Sequence, residues 1–226
     1  MVNVDTVYQR VLTIANKEQR GYITPLEFNL LANQAQLSIF EEYFTTIAQA
    51  ITTLGNEHEY SDYMKTLNER ISDFKKRVTL VKVGSFFIYP ADMYKLGTVR
   101  YAQANMLEEG VEIQEITEDE LLDYYQSPLT KPNKSRPLYI RREEGIQIFS
   151  TSPIAAGVQT TYIKRPSKVE WGYVVTNEQA LYNASSSRNF DLHVSEETVL
   201  VTRILGLAGI TIQKPDLMAI GQQQQA

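Results

Sequence analysis

The chain has 226 residues, enough for one substantial domain or two small ones, and its 43% hydrophobic and 22% charged residues describe a globular protein rather than a disordered one. A formal net charge of −5 argues against general affinity for a nucleic-acid backbone, and the absence of cysteine excludes a disulfide framework, a thiolate metal site and a cysteine nucleophile. The opening "MVNVDTVYQR" lacks the basic start and apolar centre of a signal peptide, and no apolar run reaches the ~18 residues of a membrane span, so the expectation is a soluble protein without a membrane anchor, assembled in cytoplasm.

In chain order, Val4, Val7, Val11 and Ile14 predict a short helix that stops near "EQRGYIT". A long helix over residues 24–54 follows. Thr24 caps it, Pro25 takes its first position, and Glu27 completes a capping box. Its main apolar stripe runs through Leu26, Leu30, Leu37, Phe40, Phe44, Ile47, Ile51 and Leu54, with a flank of Phe28, Leu31, Ala35 and Ile39. Gly55-Asn56 ends it. A third helix is marked by Tyr60, Met64, Leu67, Ile71, Phe74 and Val78, and three helices with short links predict a bundle over residues 1–78.

From residue 79 the period changes. "TLVKVGSFFIYP", "GTVRYAQA" and "GVEIQEI" read as short strands, and Thr117 with Glu120 boxes a short helix that ends before Pro128. After the loop "SPLTKPNKSRP", three more strands are predicted in "PLYIRR", "GIQIFST" and "GVQTTYIKRP", with turns at Glu144-Gly145 and Ala156-Gly157. Residues 79–175 therefore predict a β-rich module, a small sandwich or barrel. Residues 176–226 supply a loop, a helix capped by Ser195 and closed by Gly209, and the polar tail "GQQQQA", completing the helical part. The fold class expected is α+β.

The motif search favours no enzyme. No phosphate-binding glycine loop, dinucleotide fingerprint or nucleophile elbow is present. His58 and His193 stand alone; a solvated helix end explains His58 better than a metal site does. "EITEDELLD" lacks the ligand alternation and central glycine of a calcium loop, and acids favouring a helix N-terminus account for it. No catalytic, cofactor-binding or metal-ligating residue is expected. Arg141, Arg142, Lys164, Arg165 and Lys168 form a basic set that could touch phosphates, although the solvent side of strands is the plainer reading. Trp171, with Tyr162 and Tyr173, belongs either to the core or to an interface.

Three stretches carry a resemblance: "VDTVYQRVLTIANKEQRGYITPLEFNLLANQAQLSIFEEYF", then "PLTKPNKSRPLYIRREEGIQIF" with "YIKRPSKVEWGY", then "FDLHVSEETVLVTRILGLAGI". Together they resemble structural proteins of tailed bacteriophages, crAss-like and related podovirus genomes. The resemblance implies a virion component of the neck or tail, a ring or head-to-tail connector beside the portal, commonly twelvefold. Its partners would be copies of itself, the portal and other tail rings, with DNA passing through unbound. No functional residue carries over, since the family has no active site. On this reading Arg141, Arg142, Lys164, Arg165, Trp171 and Tyr173 are interface candidates, and Glu108, Glu109, Glu118 and Asp119 are candidates for a lumen that is not basic. Two other classes stay open: an accessory nucleic-acid-binding virion protein using the basic set, and a tail-associated hydrolase using carboxylates near Asp119 and Glu120.

Overall fold

The computed structural model describes residues 1–17, 23–52, 65–66, 68–102, 110–176 and 179–211. The fold is α+β, and the chain divides into two units, one of residues 1–73 with 166–226 and one of residues 74–165. The divisions thus fall five residues before 78 and ten before 175, the boundaries read from sequence. Residues 68–72 are helical, but the expected continuation through Phe74 and Val78 does not occur, because Lys75–Thr79 is already a strand. The β-branched Val78 serves that strand as well as it would have served a helical stripe.

In the first unit, α1 (Val4–Lys17), α2 (Pro25–Thr52) and α4 (Glu197–Thr211) pack with the chain between Pro166 and Glu196. The α1 stripe buries Val4, Val7, Tyr8, Val11 and Ala15, while Ile14 is exposed. Asn3 caps α1: its Oδ1 accepts from the Asp5 and Thr6 amides. The box at the start of α2 forms, with the Thr24 amide donating to Glu27 Oε2 at 2.9 Å and the Glu27 amide donating to Thr24 Oγ1 at 3.3 Å. Those bonds hold the Glu27 carboxyl below its ordinary range.

The helix buries the expected flank at Phe28, Ala35 and Ile39, with Phe40, but not the start of the main stripe. Phe28, Ala32, Ala35, Gln36, Ile39, Phe40 and Tyr43 are buried, whereas Leu26 and Leu30 are about two-thirds exposed and Leu37 is exposed as well. What decides the rotation is polar. Asn29, Asn33 and Gln36 lie on the face that meets an extended segment, residues 167–171. Asn29 accepts from the Trp171 amide at 2.7 Å and donates to its carbonyl at 3.3 Å. Asn33 treats Val169 the same way, at 2.8 Å each. Gln36 donates to the Ser167 carbonyl at 2.8 Å and accepts from the Asp191 amide at 2.9 Å. Helical positions i, i+4 and i+7 thus match alternate residues of an extended chain, and three amides do the work of a neighbouring strand. Turning the leucines inward would strip these backbone groups of partners. The residues Ile47, Ile51 and Leu54 of the predicted stripe, and the stop at Gly55-Asn56, lie outside the described side chains.

The C-terminal part brings three corrections. Residues read as loop include a strand, β11 (Gln179–Tyr182), paired antiparallel with β10 (Tyr173–Thr176) in a two-stranded ribbon. Ser195 is not the cap: His193 precedes a 3-10 turn at Val194–Glu196, its Nδ1 accepting from the Ser195 amide. Helix α4 then runs through Gly209 to Thr211. Glycine is a weak helix former but tolerable in a helix rich in buried leucine, isoleucine and valine.

The second unit is a two-sheet sandwich with a helix on its outside. One sheet has the order β1 (Lys75–Thr79), β9 (Val158–Lys164), β4 (Met93–Tyr101), β5 (Val111–Glu112). The other runs β2 (Lys82–Val83), β3 (Phe86–Ile88), β8 (Gly145–Phe149), β7 (Leu138–Arg141), β6 (Gln114–Glu115). Between them lies a core of Leu80, Phe87, Leu96, Val99, Tyr139 and Ile146, among others. The strand period of two then sends Leu138 and Ile140 to the opposite face of β7, where with Ile116 they receive Leu121 and Tyr124 of α3 (Glu118–Gln126). Gly84, at φ 60°, makes the tight turn between β2 and β3.

Candidate assembly surfaces

The residues named from sequence fall into several environments. Trp171 is 2% exposed and belongs to the core of the first unit. Its ring packs against Tyr8 at 4.4 Å, and its Nε1 donates to Asp5 Oδ1 at 2.9 Å. An indole this enclosed has no surface to offer a partner, so its reading as an interface residue is corrected. Tyr173 stacks on the same ring at 5.9 Å and remains exposed.

Arg141 and Arg142 are engaged within their own unit. Arg141 forks onto Glu115, with Nε–Oε1 at 2.6 Å and Nη2–Oε2 at 2.8 Å, and the Tyr139 hydroxyl donates to the same carboxylate at 2.9 Å. Burial, followed by that negative partner, pushes the Tyr139 phenol up to about 12. Arg142 makes two parallel bonds of 2.7 Å to Glu118, and the guanidinium holds the Glu118 carboxyl below its ordinary range. The basic set therefore loses two members to neutral pairs, and one lumen candidate, Glu118, is neutralised too. Lys164 lies over the Phe74 ring with Nζ 5.8 Å from its centre, Arg165 and Lys168 are exposed, and Asp119 is exposed on α3. Glu108 and Glu109, like His58, lie outside the described residues.

Among the described residues no group of His, Asp and Glu is arranged to hold a metal ion, and no helix is long and apolar enough to cross a membrane. An open depression of about 630 Å³ in the second unit is bordered by Glu112, Glu115, Tyr124, Arg136 and Tyr139. Of its acids, Glu115 is already held by Arg141 and Tyr139. Glu120, the acid on which a hydrolase reading would lean, is also engaged: its Oε2 accepts from the Thr117 amide at 2.8 Å, which draws its carboxyl below the ordinary range. A general acid needs the opposite shift.

The exposed apolar residues form a pattern that the sequence reading missed. Besides single ones elsewhere, such as Val81, Val83 and Val194, they recur on three parts of the chain. On α2 they are Leu26, Leu30 and Leu37. On α3 and the turn after it, Leu122, Tyr125 and Leu129 are 70%, 44% and 87% exposed, whereas Leu121 and Tyr124 are partly buried against the sheet. On the ribbon, Val174, Val175 and Leu181 are all more than half exposed. A two-stranded ribbon is marginal by itself, and both of its edges present unpaired backbone groups. The loop "LYNASSSRNF" is held in the single chain: Ser187 Oγ donates to the Asn183 carbonyl at 2.7 Å, and Phe190 is fully buried. The tail "GQQQQA" lies outside the described residues.

No protein-family model matches the chain, and no curated protein matches it.

Proposed function

We propose that this chain is a structural subunit of a phage neck or tail, one that assembles with copies of itself into a ring beside the portal, twelvefold by the resemblance, and contributes to the conduit for DNA. The observation that carries the reading is the grouping of exposed apolar side chains on three separate elements, α2, α3 with its following turn, and the β10–β11 ribbon. Scattered exposed leucines are ordinary, but rows of them on regular elements mark contact surfaces. A subunit of a cyclic assembly needs at least two different surfaces for its neighbours, and further ones for rings above and below. The resemblance of the quoted stretches to phage connector proteins supplies the setting, and the engagement of Glu115, Glu118 and Glu120 in structural bonds favours a non-enzymatic subunit.

The passage through such a ring is neutral or acidic in this reading, with Asp119 on exposed α3 as the remaining described lumen candidate. A wall of that sign opposes adhesion of the duplex within roughly 8–10 Å. Electron cryo-microscopy of the particle tests the proposal. A closed ring of these chains between head and tail, with an inner wall free of a basic lining, is the expected result. The chain found as a monomer on the capsid exterior, or a lumen dominated by lysine and arginine, would overturn it.

A further inference from the structure

The overall charge of −5 conceals an uneven distribution. The second unit, residues 74–165, holds thirteen Lys and Arg against eleven Asp and Glu. Several of its acids are committed: Asp92 to Lys76, Glu115 to Arg141, and Glu118 to Arg142. Four of its exposed cations share one sheet face. In the β1-β9-β4-β5 sheet, Val78, Leu96, Val99 and Val158 point into the sandwich core. The strand period therefore turns Lys75 and Arg77 of β1 outward, and Lys95 and Arg100 of β4 with them. All four are exposed, and none has an ion-pair partner among the described residues.

Register fixes their spacing. Lys75 and Lys95 both lie opposite Ile163 of β9, one on each side, which sets their Cα atoms about 10 Å apart, two strand spacings. Lys75 and Arg77 are about 7 Å apart along β1. Arg100 and Thr79 both lie opposite Gln159 at the other end. The outward positions of β1 and β9 between the cations are Thr79, Gln159, Thr161 and a half-buried Ile163. Glu112, opposite Arg100 on edge strand β5, is the carboxylate paired in register with the face.

We propose that this outer sheet face binds the phosphate backbone of duplex DNA through Lys75, Arg77, Lys95 and Arg100. The choice of occupant follows from the composition. A protein contact of useful strength has an apolar centre, and here the centre is threonine, glutamine and one half-covered isoleucine. A duplex offers one phosphate charge per ~1.7 Å of axis, so four flexible cations whose nearest neighbours are about 7 to 12 Å apart each find a partner, and binding gains from release of counterions. Contacts of this kind position the duplex and carry no sequence information. The inference does not rest on the ring reading: a ring with a neutral or acidic passage keeps this face off the sliding path, and a monomer carries it equally.

The test is a titration of the intact chain with a short DNA duplex of arbitrary sequence, from 50 to 200 mM salt. With four phosphates neutralised, the logarithm of the binding constant should fall against log salt with a slope of about −3.6, roughly a hundredfold loss over that range. The variant carrying Lys75→Gln, Arg77→Gln, Lys95→Gln and Arg100→Gln should lose binding at 50 mM salt. The single variants Arg77→Gln and Lys95→Gln, which leave the fold least disturbed, should each flatten the slope by about 0.9. The double variant Arg141→Gln, Arg142→Gln should leave the slope unchanged, since those charges are already paired. No binding by the wild-type chain at 50 mM, an unchanged slope in both single variants, or a slope reduced equally by the Arg141 and Arg142 changes would overturn the proposal. A quadruple variant whose self-association changes while its DNA affinity does not would overturn it in favour of a protein contact at this face.

Discussion

The two units use polar side chains in opposite ways. In the first, amides and two carboxylates sit inside: Asn29, Asn33 and Gln36 line the chain from Ser167 to Trp171, Asp191 accepts from the Ser167 amide at 2.9 Å, and Glu196, 4% exposed, is bonded by Arg70 at 2.7 Å. In the second, the strands satisfy one another, and charged pairs such as Arg142–Glu118 stay at the surface. The difference teaches where each unit is vulnerable. A helix packed on an irregular segment must bring its own hydrogen-bond partners, whereas a sandwich has them in its ladders and can leave its charges to water.

The largest expected effect lies in the helix orientation. Phe28→Ala should lower stability by about 3–5 kcal/mol, because the ring is fully buried, and Leu30→Ala should leave the unfolding midpoint of the isolated chain nearly unchanged. Denaturant unfolding of the two variants decides it, and the reverse ranking would mean that the leucine stripe faces the core after all. Phe44, placed on that stripe, is half-buried and should cost less than Phe28. Next comes Asn33→Ala, which strips both backbone groups of Val169 of their partner and should cost about 2–3 kcal/mol by the same measurement. A cost below that of an ordinary surface substitution would show that the amides are not what sets the rotation of α2.

Arg70→Ala should cost about 2 kcal/mol. It leaves the Glu196 carboxylate buried without its cation, but Arg70 is about a third exposed, so water can replace part of the loss. The burial of Tyr43, and after it the charge of Glu196, raises the Tyr43 phenol above its ordinary value. The smallest effect is expected for Arg142→Ala in the second unit, where both partners are solvated. Its sign with pH is fixed. The folded Glu118 carboxyl lies below its ordinary 4.5, so between the two values the unfolded chain binds more protons. The contribution of the pair is present above pH 4.5 and is lost as the pH falls through the lower folded value. The difference between wild type and variant in thermal unfolding should therefore shrink on acidification, and a difference that grows would contradict the pairing.

Much of the fold was legible because local signals and tertiary structure agree. The capping boxes at Thr24/Glu27 and Thr117/Glu120 mark real helix starts, and the alternating stretches from Phe86 to Ile163 become the strands of the sandwich. The misreadings occur where two signals compete. On α2, the leucines outweighed the asparagines in a hydrophobic pattern, yet in the folded chain the asparagines serve backbone 136 to 142 residues away, a demand no local window contains. The ribbon at 173–182 was overlooked because strand β11 lies in a stretch rich in Asn, Ser and Gln. The basic set failed as a unit for a similar reason: Arg141 and Arg142 meet Glu115 and Glu118 some two dozen residues away, while Lys75, Arg77, Lys95 and Arg100, scattered in sequence, are gathered by strand register. Exposed apolar residues are equally invisible to a reading that assigns every leucine to a core.

The central claim is that the rows of exposed apolar residues are contact surfaces between copies of this chain and its ring neighbours. The mass of the purified protein, alone and mixed with the portal protein, tests it most directly, compared with a variant carrying Leu26→Glu, Leu30→Glu and Leu122→Glu. The account predicts one closed multi-subunit species in at least one of the two samples, reduced to monomer in the variant, with folding unchanged because all three side chains are solvent-exposed. A wild-type chain that stays monomeric in both samples at every concentration, or an assembly that the three charges leave intact, would contradict it.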